Sequence, residues 1–301
     1  MVRIYFRRLG YFWDTARSLL SLLYAFVRRF PGIMFDCYGR FLAARAIIKI
    51  SAGKYLPMFL NPVSCVRYFE FDFVDQSLRK IPYAKVLDVS SPRIMPFWLA
   101  EKRGFSITMI NPDKDDLFAS QELSTLVKNR FNIVFKEGSD AARLDFAENS
   151  FDIVTSISVI EHVKSDADAI KDFIRVVRPG GQILLTFPVL GQYFEEYRDY
   201  PVYATRKNIQ KEKSYFFQRF YDEEAINSRL LSDSRLRVIA KQYFVESVPG
   251  WFQGYVKEWQ ERGLKLTLDD PRLMAKFFRG PQIEHPKDRI GNCNLFLEVV
   301  K

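Results

Sequence analysis

Lys85-Val-Leu-Asp-Val89 is a short run built around β-branched and aliphatic residues with one carboxylate near its end, and the same kind of run returns four times downstream. Residues 95–103 read as a helix closed by Gly104, and Ser106-Ile-Thr-Met-Ile110 reads as a second strand. A helix over 115–129 and a third strand, Ile133-Val-Phe135, come next. Phe151-Asp-Ile-Val-Thr-Ser156 gives a fourth strand. The helix over 166–177 gathers Ala169, Ile170, Phe173, Ile174 and Val177 on one face. Pro179-Gly180-Gly181 reads as a turn into a fifth strand, Gln182-Ile-Leu-Leu-Thr-Phe187. Strands alternating with helices predict an α/β fold, a parallel sheet with helices on both faces. Such a sheet takes its ligand at the carboxyl ends of its strands. Downstream, residues 237–246 and 291–300 read as two further strands, and Asp222 reads as the N-cap of a helix to about residue 231.

Four elements in fixed order carry a resemblance: Asp140-Ala-Ala-Arg-Leu-Asp-Phe146, Asn149-Ser-Phe-Asp-Ile-Val154, Val159-Ile-Glu-His-Val163 and Arg175-Val-Val-Arg-Pro-Gly-Gly181. Together they resemble the class I S-adenosylmethionine (SAM) methyltransferases, and among them the type 11 small-molecule branch, over roughly residues 84–190. The resemblance implies a Rossmann-like fold with a seven-stranded, mostly parallel sheet. Its last strand would run antiparallel between the fifth and sixth. It also implies SAM as cofactor.

The resemblance assigns candidate cofactor residues to the ends of successive strands. Asp88 follows strand one, but the turn after it, Val89-Ser90-Ser91-Pro92-Arg93, holds no glycine. Glycine at such a turn admits positive φ and close ligand approach. Two readings stand: a remodelled turn in which Ser90, Ser91 and Arg93 meet the methionyl tail, or a decayed site. Asn111 occupies the place of the acid that grips the ribose hydroxyls, with Asp113 as its substitute or as a plain turn residue. Asp140 and Ala141 match the adenine-binding position, the carboxylate accepting from the adenine amine while Ala141 leaves room for the ring. Ser156 ends strand four, where its backbone would line the cofactor cleft. His162 is the candidate general base, and the competing reading has the Glu161-His162 pair fix the loop before the next helix.

Composition narrows the partners. The chain of 301 residues has three widely spaced cysteines and two histidines, too few and too scattered for a zinc site or a disulfide scaffold. Residues 1–60 hold ten of the basic residues against two acids, so nearly all of the net +9 lies there. Arg3, Arg7, Asp14, Arg17, Ser18, Ser21 and Arg28 form one polar stripe of an amphipathic helix that Pro31 ends. A second helical stretch, about 35–51, would end near Gly53. The expected organisation is a basic helical extension over 1–60 and a methyltransferase-like domain over 61–301, with insertions at 190–220 and 249–288. The first insertion is dense in Tyr and Phe mixed with Arg and Lys, and the second places Trp251, Phe252, Tyr255 and Trp259 in a helical segment.

The expected function is SAM-dependent methylation of a small-molecule, glycan or lipid-linked acceptor, with oxygen the favoured atom, in the cytoplasm or at a membrane. No nucleic-acid partner is expected, because the catalytic part is almost neutral. A membrane surface competes with a protein core for the apolar face of residues 1–30. The rival from another class is a catalytically inactive methyltransferase-like scaffold.

Overall fold

The computed structural model describes residues 19–20, 22–64, 66–128, 130–137, 140–199, 210–211, 214–250 and 278–300. The chain divides into two compact units, residues 1–72 with 246–279, and residues 73–245 with 280–301.

The second unit is built on an eight-stranded sheet. In chain order its strands are β1 (Lys85–Val89), β2 (Ser106–Asn111), β3 (Ile133–Glu137), β4 (Phe151–Ile157), β5 (Val177–Val189), β9 (Leu236–Glu246), β10 (Phe278–Gln282) and β11 (Gly291–Val299). Their spatial order is β10-β9-β11-β5-β4-β1-β2-β3. Strands β1 to β5 pair in parallel, and β11 runs antiparallel to both β5 and β9. The seven expected strands therefore take the expected order, with the last inserted between the fifth and sixth. The expected total of seven is one short, because β10 adds an edge strand beside β9.

Side-chain alternation explains why these segments are strands. Leu87, Val89, Val154, Ile183, Leu185 and Phe187 share one face and form a buried cluster with Ala169, Ile170, Phe173 and Ile174. Those four lie on α6 (Asp166–Val176). The other crossover helices are α4 (Ile94–Lys102) and α5 (Lys114–Ser124). Three sequence expectations are corrected. Helix α5 stops at Ser124, short of 129, because Ser124 and Thr125 hydroxyls donate to the carbonyls of Gln121 and Glu122 and compete with the helix. Pro179-Gly180-Gly181 lies inside β5, at a register shift against β4, and makes no turn before it. Gly180 has φ +72°, and a Cβ on Gly181 would stand 2.6 Å from the Asp152 carbonyl oxygen. The stretch after β5 is not all loop. Strands β6 (Phe194–Arg198), β7 (Gln210–Lys211) and β8 (Ser214–Phe220) form a second sheet in the order β6-β8-β7. Asp222 does cap the turn that follows, accepting from the Ala225 N–H at 2.8 Å, but the helix α7 (Glu223–Ala225) passes at once into a π turn, Ile226–Leu230.

In the first unit, residues 22–27 are helical, followed by α1 (Ile33–Lys49) and α2 (Ala52–Leu60). Helix α3 (Arg67–Leu78) begins in this unit. Gly53 does not close α1. The Ser51 hydroxyl accepts from the Lys54 N–H and starts α2, so Gly53 sits inside α2 and α1 ends at Lys49. Phe30 packs edge-on against Tyr68 and Phe69, and Phe35 against Phe71. A buried carboxylate is satisfied within this core: Asp36 accepts from Arg40 and from the Tyr68 hydroxyl, each at 2.5 Å. Residues 1–18 of the amphipathic stripe, and the aromatic helix with Trp251, Phe252, Tyr255 and Trp259, lie outside the described residues.

Candidate active site at the carboxyl ends of the strands

The end of β1 settles how a turn without glycine is built. Ser90 adopts φ +55°, the left-handed backbone that glycine would supply. Its N–H and its hydroxyl both donate to the Ile110 carbonyl, at 2.9 and 3.1 Å. Two hydrogen bonds to the neighbouring strand thus hold the strained residue in place. Asp88 is fully buried one turn earlier. Its carboxylate accepts from the Ser91 N–H at 3.2 Å and the Thr155 hydroxyl at 2.7 Å. The Ser91 hydroxyl in turn accepts from the Ile157 N–H at 3.1 Å. Asp88, Ser91 and Thr155 therefore fasten the β1 turn to β4. Burial pushes the Asp88 carboxyl up to about 6, against the pull of its Ser91 and Thr155 hydrogen bonds. Helix α4 starts immediately after this turn, with Arg93 as N-cap and no side-chain bond to its first N–H groups. Of its first N–H groups, that of Met95 is bonded to the Pro92 carbonyl at 3.1 Å and Pro96 has none, so this terminus is a poor anion site.

At the end of β2, the Asn111 amide is engaged on both sides. Its Nδ2 donates to Asp116 at 2.8 Å and its Oδ1 accepts from the Asp113 N–H at 2.9 Å. Asp113 is the N-cap of α5, accepting from the N–H groups of Asp115 and Asp116 at 3.0 and 3.1 Å. The turn-residue reading of Asp113 describes this geometry. The carboxylate that stands beside Asn111 is Asp116, which is also ion-paired to Arg93 and half exposed. Asp116 escaped the sequence reading, because an acid in the first turn of a helix is read as a response to the helix dipole. Its proximity to Arg93, 23 residues earlier, is a product of the fold.

Asp140 follows β3 and is exposed. Its Oδ1 accepts from the Ala142 N–H at 2.9 Å in an Asx turn, and Ala141 is half-buried against the apolar cluster. Ser156, on β4, is fully buried, and its hydroxyl has no hydrogen-bond partner among the described residues. A buried orphan at the carboxyl end of a central strand is the kind of group a ligand or bound water satisfies. The ends of β1, β2, β3 and β4 thus bring Ser90, Ser91, Asn111, Asp140, Ala141 and Ser156 to one edge of the sheet, with Asp88 beneath.

His162 lies on a 3₁₀ turn, Ile160–His162, after β4. Its Nδ1 is 2.8 Å from the Phe217 carbonyl oxygen, and its ring packs against the Phe217 ring. Donation to that carbonyl places the proton on Nδ1 and leaves Nε2 as the basic nitrogen. Nε2 stands 3.8 Å from Glu161 Oε1, and the side chain is 12% exposed.

Behind it, the small sheet is stitched to the loop by charge. Asp166 and Arg219 have no exposed side-chain surface and pair at 2.7 Å. Arg229 adds a bidentate contact at 2.5 and 2.9 Å, and Tyr221 donates to Asp166 at 2.9 Å. Arg219 also donates to the carbonyls of Val163 and Lys164, at 2.8 and 3.0 Å. Glu195 on β6 accepts from Tyr193, Tyr197 and Lys164 at 2.8 to 2.9 Å. Despite desolvation, those three donors and the Lys164 charge hold its carboxyl down at about 2. Lys164 sits over the Phe216 ring at 4.5 Å and Arg198 over the Phe217 ring at 3.5 Å. Much of the aromatic and basic content of 190–220 is therefore engaged in holding this sheet on the loop that carries His162. Arg206, Lys207 and Lys213 lie outside the described residues.

Residues 87–185, spanning β1 through the core of β5, match the methyltransferase domain family. Over this segment the chain matches the type 11 methyltransferase domain. The ubiquinone biosynthesis O-methyltransferase of Alkalilimnicola ehrlichii is 24% identical to this chain over 42% of it and 50% of the relative. The ubiquinone/menaquinone biosynthesis C-methyltransferase of Ectopseudomonas mendocina is 35% identical over 22% of the chain and 28% of the relative. The chain thus spans about half or less of these relatives' lengths. Among solved structures, the [4+2]-cyclase SpnF superposes with a TM-score of 0.51 at 14% identity, covering 76% of this chain and 79% of the cyclase. Coclaurine N-methyltransferase, solved with N-methylheliamine and S-adenosylhomocysteine, gives 0.50 at 12% identity, covering 76% and 69%. At such identities the likeness is one of fold. The matched segment begins two residues after the start of β1 and includes every candidate residue named above.

Proposed function

We propose that this protein is a SAM-dependent methyltransferase acting on a small, lipid-linked or glycan-linked acceptor, with oxygen as the methylated atom. The observation that carries this reading is Ser90, held at φ +55° by two bonds to Ile110. The turn keeps a glycine-like path although no glycine remains in it. A decayed site would have no reason to retain a left-handed serine, which costs about 1–2 kcal/mol.

SAM, when bound, supplies an electrophilic methyl group on a sulfonium. Ser90 and Arg93 of the remodelled β1 turn meet the amino-acid tail. Asp116, oriented by Asn111 and Arg93, offers a carboxylate toward the ribose side. Asp140 accepts from the adenine amine, beside the small Ala141. The Ser156 hydroxyl gains a partner at the cleft floor. His162, with Nδ1–H fixed on Phe217, holds Nε2 ready to take the proton of an acceptor hydroxyl. Positioning supplies much of the rate of such a displacement. The ubiquinone-biosynthesis relatives support a lipid-linked or quinone-like acceptor, and their O and C chemistries mark the methylated atom as the finer assignment.

Calorimetric titration with S-adenosylhomocysteine tests the reading. Wild-type protein is expected to bind in the micromolar range. Asp140→Ala and Asp116→Ala should each weaken binding about tenfold or more, the magnitude of a lost charge-assisted hydrogen bond. No binding to folded protein at about millimolar ligand would favour the inactive scaffold, for which the Asn111 amide, bonded within the protein through both its oxygen and its nitrogen, is the supporting observation.

A further inference from the structure

The helices of the first unit leave a strongly apolar surface uncovered. Residues 19–20 and 22–27 are helical, and Leu20, Leu23, Phe26 and Val27 are all exposed, Val27 to 71%. Ala25 is the buried residue of this segment. On α1 the buried face carries Phe35, Tyr38, Leu42 and Ala46, which accounts for its packing. A second apolar stripe is left over on the same helix. Met34, Phe41 and Ile48 stand at seven-residue intervals, two helical turns apart on one line, and Ile48 is 84% exposed. Exposed large aliphatic and aromatic residues in this number mark an interaction surface.

Charge selects the occupant. Arg28, Arg29, Lys49 and Lys54 flank these residues and are exposed. Asp36 is the single acid between residues 19 and 60, and it is buried and neutralised by Arg40. A second copy of the chain would bring like charges face to face. An anionic bilayer offers the opposite charge together with an apolar layer for Leu20, Leu23, Val27, Phe41 and Ile48. No helix among the described residues is long and apolar enough to cross a membrane, so contact would be with its surface. We propose that residues 19–54 form a docking surface for anionic lipid bilayers. This rests on the first unit alone and is independent of the methyltransferase reading.

The test is co-sedimentation of the full chain with vesicles of phosphatidylcholine alone, or with about one third phosphatidylglycerol. Two double variants accompany it, Leu20→Glu with Val27→Glu, and Phe41→Glu with Ile48→Glu. All four positions are exposed, so both proteins should keep the wild-type circular dichroism spectrum. The expected result is sedimentation with the anionic vesicles only, weakened by 1 M salt and reduced about tenfold or more in each variant, since burial of one large apolar side chain supports about that factor. Failure of the wild type to sediment with anionic vesicles overturns the proposal. So does equal binding to neutral vesicles, or binding unchanged in both variants. A concentration-dependent dimer in light scattering that the variants abolish would replace the bilayer by a second copy.

Discussion

Replacing Asp88 by asparagine should stabilise the protein at neutral pH. Asp88 is wholly buried and its carboxyl is pushed from the ordinary 3.8 up to about 6 by desolvation. Between pH 3.8 and 6 the folded protein holds this proton while the unfolded chain has released it. The favourable contribution is complete below the unfolded value and is lost as pH rises through about 6. Above that, the buried charge costs the folded state about 3 kcal/mol, from a rise of about 2 pH units at ~1.4 kcal/mol each. Asparagine removes the charge and keeps the shape. Its carbonyl can still accept from the Ser91 N–H, and the Thr155 hydroxyl can rotate to accept from the new amide. Urea denaturation at pH 7.5 should show Asp88→Asn more stable than wild type by up to about 3 kcal/mol, an upper bound because the two bonds are not reproduced identically. At pH 4 the two proteins should converge. A variant less stable than wild type at pH 7.5 by 1 kcal/mol or more would refute the reasoning, since it would mean that the ionised carboxylate is the stabilising form. The same variant measured for S-adenosylhomocysteine binding separates stability from function. A carboxylate this costly and this well fastened is retained for a reason other than folding.

Two further substitutions follow from the geometry. Asp166→Ala takes from the fully buried Arg219 the nearer of its two countercharges, leaving Glu195 at 3.5 Å, and also releases Arg229 and Tyr221, so denaturation should show a loss of about 3 kcal/mol, whereas Asp168→Ala, exposed on the same helix, should lie within about 0.5 kcal/mol of wild type. Ser90→Gly relieves a left-handed residue but loses the hydroxyl bond to Ile110, so stability should change by less than about 1 kcal/mol; Ser90→Val, β-branched at φ +55°, should cost about 2 kcal/mol or more in the same assay.

The sheet was legible because its strands are local events. Five short apolar runs, with a helix between all but the third and fourth, leave little choice of topology. Asp222 was readable as a cap for the same reason: its partner, the Ala225 N–H, is three residues away. What escaped depends on distance along the chain. Asp116 meets Arg93 across 23 residues, and Arg219 meets Asp166 across 53 residues. No periodicity encodes such pairings. The aromatic and basic stretch 190–220 looked like an acceptor surface because composition alone does not say whether an arginine faces a ligand or a buried aspartate. The extra edge strand β10 was hidden in a segment whose Gly280-Pro281 reads as a loop.

The buried charges tie these two failures together. Lys164, Asp166, Glu195, Arg219 and Arg229 form one connected cluster between the loop that carries His162 and the small sheet. Hydrophobic residues of equal volume would hold such a contact at least as firmly. Charged groups instead demand one geometry, since the Arg219 and Arg229 guanidinium forks must meet Asp166. The Phe217 carbonyl that fixes the His162 ring lies on β8 two residues before Arg219. Any slip of β8 against the loop would break the Arg219–Asp166 pair and move the carbonyl away from Nδ1 together. The ion cluster therefore sets the register of the small sheet, and through that register it sets which imidazole nitrogen of His162 meets the Phe217 carbonyl.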